Sequence, residues 1–505
     1  MGEIKGLIKV LTNEEMELLH RATVEVLSEI GMKINCEEAL DYLSSYGCKV
    51  ERSTKIVKFP PNIVEKAIHA MKKSYLVQKE ELKMPVRYTQ IYFSTRARKL
   101  HNDFTTSTGG FPVYIYDLDN KRRKANLEDV ISSIRLADAL NNIDLIGLSC
   151  SAQEIPPSDC PIVMTGLLLK NTSKLGGIET WTKKDVKYIY EMAIVVSGDR
   201  ERLRKKPILV GYAEAKSPLC IDKNMAEVLI EYVKMGIPQS LDTMPCGGIT
   251  APATSAGTLV LGLAETLGGL VLGYAVNPNA VLSVDITPGL GDMKYGTFPY
   301  AGPDRFALLV GAIQMVSEYY GCPSGTHGGK TDACFPGVQA GFEKALSIIY
   351  PILAGATGIG TIGQIENGTT FSPLQLVIDN EIITYIKRTL QGFEVNKNTI
   401  ALEVIKEVGI GGSYLSHPHT AVNFRKEFWL SDLTERMPWD VWEQEQFRGL
   451  EEKAKTKAKK MLKGHYNQPL SQDQQKEIDK IVKLALRESP TGDLTERILK
   501  EKELI

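Results

Sequence analysis

The chain has 505 residues, 43% of them hydrophobic, with 60 basic and 61 acidic side chains that leave a net charge of −1. That length can bury a large core, and the near-neutral balance excludes recognition of nucleic acid or an anionic membrane surface by net charge. Eight cysteines are scattered without a C-x-x-C pair, which predicts reduced thiols in a cytoplasmic protein rather than a disulfide scaffold or zinc ribbon.

The N-terminal Met-Gly-Glu-Ile-Lys has no basic-then-apolar pattern, so no export signal is expected. Residues 12–31 read as an amphipathic helix, capped by Thr12 with Glu15 three positions on. Shorter helices follow near 37–47 and 61–71. From 90 to 120 the chain turns β-rich: Ile91-Tyr-Phe and Val113-Tyr-Ile-Tyr flank Gly109-Gly110, and the basic run Lys121-Arg-Arg-Lys124 reads as a solvated turn.

From about 127 the pattern becomes periodic. Short apolar runs at 143–150, 175–180, 207–213, 239–244, 280–286, 322–327 and 358–365 alternate with helical stretches near 160–171, 183–196, 222–236, 256–276, 304–320, 338–355 and 374–391. Alternating strands and helices with Val/Ile/Leu-rich strands predict a parallel sheet covered by helices. Seven units are visible, and an eighth strand near 400–415 would close a (β/α)₈ TIM barrel; an open doubly wound sheet is the alternative. The expected divisions are an N-terminal helical and hairpin region over 1–125, the barrel over 126–415 and a polar helical extension over 416–505. The apolar stretch Ala256–Val276 has Glu265 at its middle, which predicts a buried helix rather than a membrane span.

In a barrel, chemistry belongs at the C-terminal strand ends. Four connections there are rich in glycine and polar groups: Met244 to Pro252, Thr287 to Tyr300, Pro323 to Gly337, and Gln364 to Ser372. The third carries His327, Lys330, Thr331 and Asp332, although Thr331 or Asp332 would equally serve as a helix cap. Glu366 follows an apolar strand and is the carboxylate expected at the mouth, unless a salt bridge to Lys330 or Arg305 occupies it. Gln364 would share its face. Tyr295, Phe298, Tyr300, Phe335 and Phe371 are candidate walls for an organic cation, at roughly 0.5–2 kcal/mol per cation–π contact. The sequence Gly358-Ile-Gly-Thr-Ile-Gly363 fits G-x-G-x-x-G but lies within an expected strand, so no dinucleotide site is read from it. His417 and His419 have no partnering cysteine, and no metal site is expected.

Several segments together resemble the trimethylamine methyltransferase superfamily across most of the chain. They are Thr12-Asn-Glu-Glu, Asn171-Thr-Ser-Lys, Gly247-Gly-Ile-Thr-Ala-Pro followed by Ala256-Gly-Thr-Leu-Val, Tyr320-Gly-Cys-Pro-Ser, Phe371 to Asn380 and Val408-Gly-Ile-Gly-Gly. The resemblance implies a (β/α)₈ barrel that moves a methyl group from a methylated amine to the cobalt of a separate corrinoid (cobalamin) protein. It places Lys330 where trimethylamine enzymes of that family carry pyrrolysine, so position 330 implies either a true lysine or pyrrolysine. The run from His419 to Trp429 is similar to the branch without pyrrolysine, the glycine betaine methyltransferase type acting on quaternary amines.

Within that resemblance, Lys330, Glu366, His327 and Asp332 are the candidate catalytic residues. Gln364, Tyr295, Phe298, Phe335 and Phe371 are the candidate substrate contacts, and Lys330 with His327 is expected to bind the carboxylate of a betaine-like substrate. The D-x-H-x-x-G motif of corrinoid proteins is absent from the sequence, so the corrinoid is expected on a partner, with no metal or nucleotide bound by this chain. A trimethylamine methyltransferase with pyrrolysine at 330 and a non-catalytic quaternary-amine-binding protein are the alternatives. A homo-oligomer is a further expectation.

Overall fold

The computed structural model describes residues 8–82, 104–431, 433–444, 449–464 and 467–505. Ile91-Tyr-Phe lies outside them. Eight parallel segments form a closed ring. Thr105–Thr106 pairs with Gly358–Ile359, and that strand pairs with Gly325–Thr326. Leu282–Val284 pairs with Gln239–Thr243, which pairs with Gly211–Ala215. The Asp285 carboxylate accepts the Gly325 N–H at 2.8 Å, tying these two groups together. On the other side, parallel bridges Ser107–Leu145 and Ile146–Leu175 carry the ring onward. Gly177 then lies so close to Tyr212 that an added methyl would overlap its ring at 2.3 Å.

The (β/α)₈ barrel is therefore present, but its remaining strand is the first, at Thr105–Thr106, inside the segment assigned to the N-terminal region. The expected strand near 400–415 is instead the helix Leu402–Val408. Two physical reasons explain the difference. Phe104-Thr-Thr-Ser-Thr is β-branched but has one large apolar residue, so no apolar run marks it. In 400–415, Leu402, Ile405 and Val408 recur at helical spacing.

The strands have an unusual polarity. Leu241 faces the helix Ser255–Val276, its methyls 3.6 Å from where a side chain at Gly269 would start. Side chains alternate along a strand, so Ser240 and Asp242 face the barrel axis. Register aligns Tyr212 with Ser240, Glu214 with Asp242, and Ser283 with Ser240. The apolar face is outside, under helices, and the interior is polar.

The helix Ser255–Val276 is apolar on all sides because all sides are covered. The barrel lies on one side, and the helices Asn13–Glu25, Glu37–Tyr46 and Pro61–Leu82 pack on the other. Thr12 and Glu15 form the expected reciprocal cap on the first of these. Glu265 is fully buried; burial raises its pKa, while the Leu219 N–H at 2.8 Å, the Ser217 hydroxyl at 2.7 Å and the Thr243 hydroxyl satisfy it.

At the mouth, Tyr114–Tyr116 and Arg122–Lys124 form a hairpin extended by Gln364–Ile365 and Thr370–Phe371. The C-terminal helices Leu450–Gly464 and Gln472–Arg487 pack on the barrel's outer helices, followed by Gly492–Glu501.

Candidate active site

Each of four consecutive strand ends places one carboxylate in the same cavity: Glu179, Glu214, Asp242 and Asp285. The space is about 290 Å³, suited to a small molecule, and opens at the C-terminal end of the ring. His327 and Lys330 lie in the same wall, with Phe111 and Tyr212 as its aromatic surfaces.

Three of these acids have raised pKa values. Burial raises Glu179, with Lys330 opposing. Burial, then Asp242 and Glu179 nearby, push Glu214 up to about 7. Glu214 keeps surface open to the cavity, but that cavity is enclosed by the barrel, so solvation there is poorer than at an exposed site. Burial and then Asp242 raise Asp285 well above the carboxylate range, although the N–H groups of Gly325 and Ile286 oppose this at 2.8 and 3.0 Å. Glu214 thus holds a proton near neutral pH that a bound cation would displace. His327 is lowered by burial despite Asp242 at 3.6 Å, so it is neutral there. Its Nδ1 is buried without a hydrogen-bond partner among the described residues, a position that a ligand can satisfy.

Lys330 is buried, with Nζ 3.9 Å from the centre of the Tyr300 ring. Its stem runs against Gly368, where an added methyl would meet Cε at 2.9 Å. Asp332 supports this contact from behind: its carboxylate accepts the N–H groups of Tyr300 and Ala301 at 2.7 and 3.0 Å, and burial raises its pKa. Arg305 donates to the carbonyls of Pro288 and Tyr300 at 2.9 and 2.7 Å; burial lowers it to about 10. Phe298 packs on Tyr300, ring centres 4.8 Å apart.

Backbone contact fixes the Lys330 loop. Gly329 donates to the Gly360 carbonyl, and an added methyl at Gly329 would lie 2.5 Å from the Ile362 nitrogen. The glycines of the 358–363 run thus serve loop-on-loop packing. Beneath them Lys344 bonds the Gly329 carbonyl and Asp379, each at 2.6 Å, and Asp379 also accepts the Gly363 N–H at 2.8 Å.

The other sequence candidates lie around this cavity, outside its lining. The loops of Lys330 and Glu366 sit side by side, the Glu366 N–H bonding the Ala333 carbonyl. The Glu366 carboxylate, however, pairs with Arg122 at 2.7 Å and accepts the Thr370 hydroxyl. Burial alone would raise it, but these partners lower its pKa. Gln364 donates to the Gly109 carbonyl, Phe371 is fully buried, and Tyr295 and Phe335 are 70% and 59% exposed. His417 caps the helix Pro418–Glu427 through the His419 N–H.

Sequence reasoning missed the four acids, Tyr212 and Phe111. A signal was available: Gly-Gly-Ile-Glu179, Gly-Tyr-Ala-Glu214, Ser-Leu-Asp242 and Ser-Val-Asp285 each end an apolar strand with a carboxylate.

The chain is similar in sequence to known proteins over most of its length. The family described as trimethylamine methyltransferase (MTTB) matches residues 3–489. A trimethylamine methyltransferase of Methanosarcina thermophila is 32% identical over 471 residues, covering 92% of this chain and 95% of that protein. A glycine betaine methyltransferase of Desulfitobacterium hafniense is 28% identical over 456 residues, covering 88% and 90%. The crystal structure of the Methanosarcina barkeri monomethylamine methyltransferase aligns over 92% of this chain and 89% of its own, at a TM-score of 0.47 and 13% identity. On the length and identity of the sequence matches, this chain belongs to the trimethylamine methyltransferase family.

Proposed function

We propose that this chain transfers a methyl group from a quaternary, betaine-like amine to the cobalt of a separate corrinoid protein. One observation carries the reading: a row of four carboxylates and a buried lysine face the same small cavity. Such a wall suits a zwitterion. The ammonium lies against the acids and the rings of Phe111 and Tyr212, and the substrate carboxylate lies toward Lys330 and His327.

The raised pKa values of Glu214, Glu179 and Asp285 favour turnover. The charge on nitrogen fades as the methyl leaves, so a fully ionised clamp would hold the ground state more tightly than the transition state. Partly protonated acids give a weaker field. A quaternary amine departs neutral and needs no proton from the protein. The reduced cobalt of the partner supplies the nucleophile; this chain binds, orients and shields the methyl group. Asp332, Arg305 and Tyr300 act in this scheme by setting the position of Lys330.

The test is methyl transfer to reduced cobalamin, followed by its colour change, with glycine betaine and with trimethylamine. Transfer from glycine betaine that Lys330→Ala lowers by about 100-fold is the expected result; unchanged transfer by that variant overturns the role given to Lys330. Binding of both amines without transfer, even with a corrinoid protein supplied, would favour a binding protein. A second reading is supported by the trimethylamine relatives and by where Lys330 lies: trimethylamine transfer with pyrrolysine at that position. The mass of the peptide containing residue 330 separates the two.

A further inference from the structure

Glu179, Glu214, Asp242 and Asp285 line one cavity, but the protein satisfies only two of them. Asp285 accepts the N–H groups of Gly325 and Ile286 at 2.8 and 3.0 Å and the Ser324 hydroxyl at 3.4 Å. Asp242 accepts the Thr243 N–H at 2.7 Å and has the Thr287 hydroxyl and His327 at 3.4 and 3.6 Å. Glu179 and Glu214 have no hydrogen-bond donor among the described residues. They are close enough to repel, since Glu179 is among the charges that raise Glu214.

Across the ring the imbalance is reversed. Counted from Thr105–Thr106, Glu179 and Glu214 belong to the third and fourth strands, whereas Lys330 follows the seventh. Lys330 is 7% exposed and lines the same cavity. Its Nζ has the Tyr300 ring at 3.9 Å but no hydrogen-bond acceptor among the described residues. Two acceptors without donors thus face a donor without acceptors, and buried groups of both kinds are costly until a ligand pairs them.

A quaternary nitrogen cannot do this alone. It carries C–H groups and no N–H, so it leaves both glutamates without a hydrogen bond. Its charge also fades as the methyl leaves, and a carboxylate pair closed on it would favour the ground state. A hydroxyl would donate once and leave the repulsion between the acids. A primary ammonium brings three N–H donors and a charge that methyl transfer does not change, so holding it tightly adds nothing to the barrier.

We infer that the donor is an amino acid whose side-chain nitrogen is trimethylated, its α-ammonium held by Glu179 and Glu214 and its α-carboxylate by Lys330. The quaternary end then points toward Phe111, which lies on the loop beyond the first strand and is backed edge-on by Trp181 at 5.5 Å. The inference narrows the proposed reading and rests on it for the quaternary nitrogen.

Titration calorimetry on the full chain tests this with matched pairs. Nε-trimethyllysine and Nδ-trimethylornithine are each compared with the same molecule lacking the α-amino group. In at least one pair the amino member should bind about 10- to 100-fold more tightly. Glu179→Gln combined with Glu214→Gln should bring that ratio close to one. Equal affinities in both pairs, or a preference that survives the double substitution, overturn the inference. If the double variant does not fold, the wild type decides with the α-hydroxy counterparts: weaker binding than the amino compounds supports the cation, and equal binding overturns it. Methyl transfer to a corrinoid protein is scored separately. Transfer from glycine betaine with no preference within the pairs ends this inference and leaves the transferase reading in place. A preference without transfer from any donor removes the transferase reading and keeps the amino-acid site.

Discussion

The barrel mouth and the 391–431 arm break the usual distribution of side chains in opposite directions. The mouth encloses acids, a lysine and a histidine where apolar groups ordinarily sit; the arm exposes isoleucine, leucine and phenylalanine where charge ordinarily sits. They differ in how they hold their shape. Around the mouth, buried hydrogen bonds and an ion pair set each loop, so its geometry exists before a ligand arrives. The arm is held at its roots, by Arg388 and Trp429, and its apolar area gains from being covered. Preorganised polarity is what a small charged ligand requires, and exposed apolar area is what a protein surface requires.

That contrast breaks most directly at Lys344. With Lys344→Ala, Asp379 is left as an uncompensated buried charge, and a loss of about 3–5 kcal/mol is expected in denaturant unfolding. Leu415→Asp on the arm should stay within about 0.5 kcal/mol when the chains are compared as monomers, since it touches no core. Equal losses in the two variants would erase the distinction drawn between the regions.

Next in size is Lys330→Ala. Removing the charged contact proposed to the substrate should lower kcat/KM for a betaine-like donor by about 100-fold, or about 2.7 kcal/mol, with Tm little changed. A loss of the same size for trimethylamine would argue against a carboxylate-binding role.

Glu214 gives a smaller effect with a defined sign. Folding raises it from an ordinary value of about 4.3 to about 7. Its contribution to stability is therefore fully present below the unfolded value and is lost as pH rises through the folded one. Glu214→Gln should flatten stability over that window. An ammonium ligand favours the ionised form, so its affinity should rise as pH approaches and passes 7, with proton release on binding. Calorimetry in buffers of different ionisation enthalpy measures that release; its persistence in Glu214→Gln would assign the proton to Glu179 or Asp285 instead.

The smallest effect belongs to Glu366→Gln. Its pair with Arg122 is partly exposed, so at most about 1 kcal/mol of stability should be lost, with little change in kcat. A large fall in kcat would place its carboxylate at the substrate during turnover.

Seven of the eight strands were legible because each is a short apolar run between helical patterns. The Thr105–Thr106 strand was not, since threonine carries β propensity without an apolar signature. At the site, the glycine-rich loops drew attention to Lys330 and His327, which do line the cavity. Glu366 drew the same attention through its polar loop, but its partner Arg122 is 244 residues away in sequence and no local pattern joins them. The four acids carry no local pattern because each stands alone in its strand; only closure of the ring brings them to one space. Tyr295 and Phe335 are aromatic residues near glycines, a feature that does not distinguish a cavity wall from an outer rim.

The hydrogen bond from Arg388 to the Glu427 carbonyl has one more consequence. It brings the two ends of the excursion together, so a short turn can replace everything between them without disturbing a single strand of the ring. The ring and the arm are thereby separable stretches of the chain, and substitutions can reshape one while leaving the other untouched.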